Sequence, residues 1–246
     1  MPRSDRTAPA GETARRLIEQ ARAEQRHLLE PEAYRLLEAY ELPVPRHRFA
    51  RDAAEAAAAA QAIGFPVALK VVSPDVLHKS DAGGVRLDLR DAGAVRAAFE
   101  EVRAAARAVQ PSARLTGALV AEMARPGTEV IVGMTRDPQF GPSVMFGLGG
   151  LFVEVYRDVA FRIVPREERD AREMIREGKG LPLLTGFRGR PPGDLDAIAR
   201  ILLRVSRLAE EHAEVAEVDL NPIVVHERGA VVLDARVFLD LQGTPT

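Results

Sequence analysis

The sequence predicts an α+β protein of the mixed α/β kind, folded as two lobes. Three observations carry this. Short β-branched apolar runs such as Val67–Val72 read as buried strands. Amphipathic stretches long enough for helices stand among them. The two kinds alternate without a strict βαβ repeat, which argues against one doubly wound sheet. A boundary is expected at Arg125–Gly127, where Pro126 and Gly127 interrupt the pattern. Residues 1–25 then form an N-terminal tail and helix, 26–125 the first lobe, 126–240 the second and 241–246 a short tail.

Taken in order, Met1–Gly11 holds Pro2, Arg3, Asp5, Arg6 and Pro9 without an apolar centre. It is expected to be disordered and not a secretory signal. Thr13–Leu29 reads as a helix with Leu17, Ile18 and Ala21 on one side. Pro31 opens a second helix through Tyr34, Leu36, Leu37 and Tyr40, Pro being tolerated in a first turn. Ala53–Ile63 is a third, ended by Gly64 and Pro66. Val67–Val72 is a strand, Ser73–Gly84 a polar loop and Val85–Leu89 the next strand. Gly93–Val109 is a helix; Ala118–Met123, Glu129–Met134, Ser143–Phe146, Phe152–Tyr156 and Ala160–Val164 are strands. Helices over Arg166–Gly178 and Leu195–Ala213 precede strands at Val215–Asp219, Ile223–His226 and Ala230–Asp234.

Composition excludes several function classes. The chain has 246 residues and a formal charge of -2, so nothing in its charge favours nucleic acid or an anionic membrane as partner. It has no cysteine, which removes thiol chemistry and fits a cytoplasmic protein. No apolar run approaches the roughly 20 residues that span a bilayer.

Chemistry is suggested at several places. Lys70 lies inside an apolar strand, where an ammonium needs an anion or a route to solvent. A phosphate oxygen is one such anion; a lysine that snorkels or pairs with a carboxylate is the alternative. In His78–Gly84 the glycines Gly83 and Gly84 let backbone N–H groups approach phosphates, with Lys79 and Ser80 as further donors. His78 is a candidate phosphoryl-accepting nucleophile. The alternative is a polar turn. Between two strands, Glu122 and Glu129 are candidates for nucleotide hydroxyls, or else solvated turn residues. Phe146–Gly150, followed by Glu154, is not a GxGxxG pattern and reads equally as a bend. Strand alternation sets Glu217, Asp219 and Asn221 on one face. Asn221 and Asp234 suit a magnesium ion, which takes few protein oxygens beside phosphate and water, or else cap a hairpin. Histidines are too dispersed for zinc.

Three long motifs, in order, resemble one family. Val67–Val85 resembles the phosphate-binding strand and loop of ADP-forming acetyl-CoA synthetase β subunits. Gly127–Pro142 with Phe146–Gly150 resembles their central block, and Glu217–Pro222 followed by Asp234 their metal-binding end. The resemblance spans about Leu29 to Leu239. It implies an ATP-grasp fold holding ATP or ADP between its lobes. Lys70 would then hold phosphates, with Lys79, Ser80, Gly83 and Gly84 in the adjoining loop. Glu122 and Met123 would line the adenine pocket, Glu129 would meet the ribose, and Asn221 with Asp234 would ligate Mg2+. His78 would carry a phosphoryl group between the nucleotide and a partner active site, oriented by Asp219. The implied reaction is acyl-CoA + ADP + phosphate ⇌ carboxylate + CoA + ATP. It implies an α subunit with the CoA-binding and acyl-activating domains, in an α2β2-type assembly. The competing expectations are a succinyl-CoA synthetase-like β subunit and a non-catalytic ATP-sensing module.

Overall fold

The computed structural model describes residues 10–76, 78–149, 159–164, 167–187, 189 and 191–242. Two compact units divide the chain. One comprises Leu29–Pro31 with Pro45–Arg125; the other gathers the described residues up to Leu28, Glu32–Val44 and those from Pro126 onward.

The first unit is a four-stranded antiparallel sheet in the order β1-β4-β2-β3, formed by β1 (His47–Ala50), β2 (Val67–Val72), β3 (Val85–Leu89) and β4 (Gly117–Glu122). Strand β2 is buried along its whole length, as its apolar run, interrupted only by Lys70, demands of an interior strand. Two helices cover the sheet. We number the N-terminal helices α1 (Ala10–Ala23) and α2 (Glu30–Ala39), so these are α3 (Ala53–Ile63) and α4 (Ala92–Val109). Asp52 starts α3 by accepting from the Ala54 and Glu55 amides, both at 2.8 Å. Gly64 ends it at φ +98°, a conformation open to glycine. Asp91 caps α4 through the Ala94 amide at 2.8 Å. Phe99, Val102, Leu69, Val71 and Val120 fill the core between helices and sheet.

The second unit carries a larger antiparallel sheet in the order β10-β8-β5-β6-β7, with β9 also paired to β8. Its strands are β5 (Thr128–Asp137), β6 (Gly141–Leu148), β7 (Val159–Ile163), β8 (Val215–Val225), β9 (Ala230–Val232) and β10 (Ala235–Leu239). Helices α5 (Glu168–Glu177) and α7 (Leu195–Glu211) pack together, with the short α6 (Leu181–Leu184) beside α5. Ile198, Leu202, Val205 and Leu208 of α7 are buried.

Several expectations are corrected. The first helix runs Ala10–Ala23 and not Thr13–Leu29, taking in Ala10 and Gly11 of the expected tail, while Leu17, Ile18 and Ala21 on its expected apolar side are buried. Residues 32–44 group with the C-terminal unit and not with the rest of 26–125. Tyr34 explains this: fully buried, it donates to the Leu233 carbonyl at 2.6 Å. The two strands expected at Val215–Asp219 and Ile223–His226 are one, because β5 pairs with β8 on both sides of Asn221–Pro222, while β10 lies opposite Val215–Leu220 and β9 opposite Ile223–Val225. Strands β1 and β10 and helix α6 were not expected; each is short and bounded by polar residues that break any periodicity. Gly150, Glu154 and Phe152–Tyr156 lie outside the described residues.

Candidate functional site

The first cluster forms around β2. Lys70 pairs in register with Val85 on β3 and Leu119 on β4. Its ammonium donates to Glu30 Oε1 at 2.6 Å, and Lys79 donates to Glu30 Oε2 at 2.7 Å. The Glu30 side chain is 1% exposed, and both lysines are buried. The anion expected beside Lys70 is thus a carboxylate of the chain itself. Two ammoniums and one carboxylate give these three groups one formal positive charge. Glu30 was not foreseen: forty residues separate it from Lys70, and an acid at a helix start needs no further explanation. One signal was available for its partners. Of 34 basic side chains in the chain only three are lysines, Lys70, Lys79 and Lys179, and two of these meet at Glu30. A compact ammonium fits where a planar guanidinium fork does not.

Between β2 and β3 the chain leaves the sheet and returns. Asp75 anchors the departure by accepting from the Arg114 amide at 2.7 Å and from its guanidinium at 2.8 and 3.1 Å, which holds the Asp75 carboxyl below its usual range. His78 is exposed at the head of a tight turn, its carbonyl accepting from the Ala82 amide at 3.2 Å. Gly84 N–H then donates to the Lys79 carbonyl at 2.7 Å, and Val71 N–H to the Gly84 carbonyl at 2.8 Å. The glycines have a local reason. Gly83 sits at φ +64°, and a Cβ on Gly84 would fall 2.5 Å from Val71 Cγ1. Ser80 is exposed beside them, its carbonyl accepting from Gly83. Gly83 and Gly84 therefore close the turn onto β2 and leave His78 at its head.

At the end of β4, Glu122 is held by Arg46 through two hydrogen bonds of 2.9 Å, which lower its pKa. The next amide, Met123, makes a long 3.4 Å hydrogen bond to the Pro66 carbonyl. The Glu122 carboxylate is therefore already engaged, a pairing the sequence did not disclose.

In the second unit, Glu129 is exposed near the start of β5, and its carbonyl accepts from the Gly149 amide at 2.8 Å. A Cβ on Gly149 would lie 3.0 Å from Glu129 atoms, so this glycine serves close strand approach. Asp219 faces Gly133 on β5 and Arg236 on β10. Along β8, Glu217 and Asn221 are exposed and Asp219 half-buried while Val218 and Leu220 are buried, the alternation of one polar face. Asn221 N–H donates to the Asp234 carbonyl at 3.2 Å, Leu233 N–H to the Pro222 carbonyl at 2.9 Å. Together with the Tyr34 bond to Leu233, these fix Asn221 and Asp234 at one corner. No group of three or more His, Cys, Asp or Glu gathers among the described residues. A pair of oxygen side chains without a closed cage fits magnesium, whose remaining ligands are ordinarily phosphates and water.

A sheet-and-helix unit with a basic strand and loop, linked to a second unit with a two-oxygen corner, matches a family model described as an ATP-grasp domain over residues 19–239. The β subunit of acetate–CoA ligase (ADP-forming) I from Pyrococcus furiosus is 49% identical over 226 residues, covering 92% of this chain and 97% of that one. Among solved structures, dinucleotide forming acetyl-coenzyme A synthetase 1 of Ca. Korarchaeum cryptofilum, in complex with coenzyme A, Ca-AMPCP and HgCl+, matches with a TM-score of 0.90 at 48% identity, covering 92% of this chain and 100% of that one. The same protein with coenzyme A and Mg-AMPPCP, its phosphohistidine segment pointing towards the nucleotide binding site, matches with a TM-score of 0.81 at 46% identity, covering 92% and 100%. The chain belongs to the ATP-grasp family, and within it to the β subunits of ADP-forming acetyl-CoA synthetases. Among the described residues, no helix is long and apolar enough to cross a membrane.

Proposed function

We propose that the chain binds ATP or ADP and passes a phosphoryl group through His78 to and from a partner α subunit that carries the CoA and acyl sites. The observation that carries this reading is the exposure of His78 on a turn whose next residue, Lys79, is anchored beside Lys70. The relatives named as β subunits, and the phosphohistidine segment described for one of them, support it.

In the direction of ATP formation, a ring nitrogen of His78 accepts the phosphoryl group, forming an N–P bond as the bond to its donor breaks. A terminal oxygen of ADP then attacks that phosphorus, the N–P bond breaks, and the imidazole returns to its starting state. Lys70 and Lys79 lie on the strand and loop where the developing phosphate charge needs cations. Glu122, Met123 and Glu129 are the proposed contacts to adenine and ribose; the first requires the Arg46 pair to open or to accept the base edge alongside it. Bound Mg2+ would offset phosphate charge, with Asn221 and Asp234 as its protein ligands. Asp219 is the proposed orienting carboxylate for the histidine. The assembly would be of the α2β2 type.

The test mixes the chain with its α partner, acyl-CoA, ADP and phosphate. ATP should form, and an acid-labile phosphohistidine should map to His78. His78→Ala should abolish ATP formation while nucleotide binding by calorimetry is retained. Full turnover in that variant would remove His78 from the reaction, and binding without turnover in the unaltered chain would favour a nucleotide sensor.

A further inference from the structure

The histidine turn leaves β2 and returns to it at Gly84, whose carbonyl accepts from Val71 N–H at 2.8 Å. Its tip is polar, Ser80 and Asp81 are exposed, and Ala82 is its one small buried side chain. Lys79 is the exception: a long cationic side chain, 9% exposed, inserted beneath the turn to reach a carboxylate that is itself almost wholly enclosed. Burying an ammonium is unfavourable unless its partner is well placed. Here the partner is shared. Glu30 offers one oxygen to the strand lysine and the other to the loop lysine, at 2.6 and 2.7 Å. The strand end of this arrangement is immobile by construction, because β2 is hydrogen-bonded on both sides and buried throughout. At the loop end, hydrogen bonds from Ala82 to His78, Gly83 to Ser80 and Gly84 to Lys79 shape the turn, while Val71 N–H to the Gly84 carbonyl and Arg86 to the Gly83 carbonyl tie its return to the sheet. The Lys79 ammonium adds a charged link between the head of the turn and Glu30.

We propose that Glu30 is a positioning residue for the histidine turn: its carboxylate is the dock that pins Lys79, and with it His78, against the Lys70 strand. The docking stands on the geometry alone; its meaning for phosphoryl transfer rests on the relay reading above. A carboxylate in this role does what a phosphate cannot, since it holds the turn in register when no nucleotide is bound. Its charge also makes the dock reversible, because an incoming phosphate competes for the same two ammoniums.

The scarcity of lysine supplies a direct readout. An amine-acylating reagent at about pH 8 reacts with exposed lysines, and every lysine in the chain can be followed by peptide mass spectrometry. Lys179 is exposed and serves as the internal reference. In the unaltered chain Lys179 should acylate while Lys70 and Lys79 are protected. In Glu30→Gln, Lys79 should react about a hundredfold faster relative to Lys179, the order expected when one member of a buried charge cluster is removed. Lys70 should remain protected, because the strand that carries it is unchanged. Loss of a merely structural contact would expose both lysines together and reduce the circular dichroism signal. Glu30→Asp keeps the charge and should recover at least about a tenth of the lost protection; equal reactivity in the Asp and Gln variants would speak against a charge-held dock. A folded Glu30→Gln protein in which Lys79 stays as protected as before would overturn the proposal. Should that variant not fold, Lys79→Met releases the same contact from the loop side. Cleavage before Asp81 by an Asp-specific protease should then rise, and unaltered cleavage would overturn the proposal equally. If the dock is confirmed but His78→Ala still makes ATP, the relay reading fails and the dock survives.

Discussion

At Lys70 the question is which anion an enclosed ammonium accepts, and the answer changes what a substitution does. With phosphate as sole partner, Lys70→Met would weaken nucleotide binding and leave stability alone. With Glu30 at 2.6 Å the variant also takes one of two cations from a carboxylate that is 1% exposed. Lys79 still neutralises that carboxylate, so the loss should fall below the full range for a broken buried pair, at about 2 kcal/mol. Urea unfolding measures it. In a double-mutant cycle the same change made in a Glu30→Gln background should cost less than half as much, and strict additivity would show that the two groups do not interact. Single glycines are legible in the same way. Adding a methyl at Gly84, 2.5 Å from Val71 Cγ1 and 3.1 Å from the Lys79 carbonyl, should destabilise the unit by roughly 2 kcal/mol through overpacking. No change in midpoint would mean that β2 and the turn can separate at no cost.

Among the elements, those announced by local chemistry were legible and those held by distant partners were not. Val67–Val72 and Val85–Leu89 occupy the expected residues because apolar run and turn residues coincide at their ends. Helix α3 stops where Gly64 and Pro66 were expected to end it, and the caps of α3 and α4, Asp52 and Asp91, came only with the structure. The polar face of β8 followed from alternation. By contrast, β8 continues through Asn221–Pro222 because β5 pairs with it before and after that point, and proline there reads locally as a stop. The Glu30 dock and the Arg46–Glu122 pair are likewise tertiary facts, spanning 40 and 76 residues. Arg136 belongs to the same class. From β5 it donates to the Ala209, His212 and Val215 carbonyls at 2.6, 3.1 and 3.3 Å, closing the C-terminal end of α7 where the helix dipole favours a cation. Burial lowers its pKa, yet an arginine keeps its charge. Arg136→Met should therefore lower stability by about 2 kcal/mol, with amide exchange accelerated first in the last turn of α7. Uniform acceleration across the unit would assign the effect to packing instead.

On the scale of the whole molecule, two histidines tie stability to pH. His27 accepts from the Leu239 amide through Nδ1 at 3.1 Å, so that nitrogen is unprotonated in the folded chain. His212 is buried, with Nε2 2.8 Å from the Tyr40 hydroxyl, which itself donates to Glu211 at 2.6 Å. Burial lowers the pKa of both histidines, and burial followed by the Glu211 contact raises that of Tyr40. The sign follows from linkage. A histidine whose folded pKa is depressed contributes stability that is fully present above its unfolded value, about 6.5. As pH falls below that value the unfolded chain binds protons that the folded chain refuses, so stability declines toward the depressed folded value. Each histidine can add a slope of at most about 1.4 kcal/mol per pH unit within that window. Carboxylates paired with arginine, such as Asp75 and Glu122, act in the same direction but only at lower pH. The melting temperature should thus be level near neutrality and fall between about pH 6.5 and 5, before carboxylates titrate. A His27→Gln, His212→Gln double variant should be less stable at neutral pH yet flatter across that interval. A slope that survives in the double variant would place the acid-sensitive groups elsewhere in the chain.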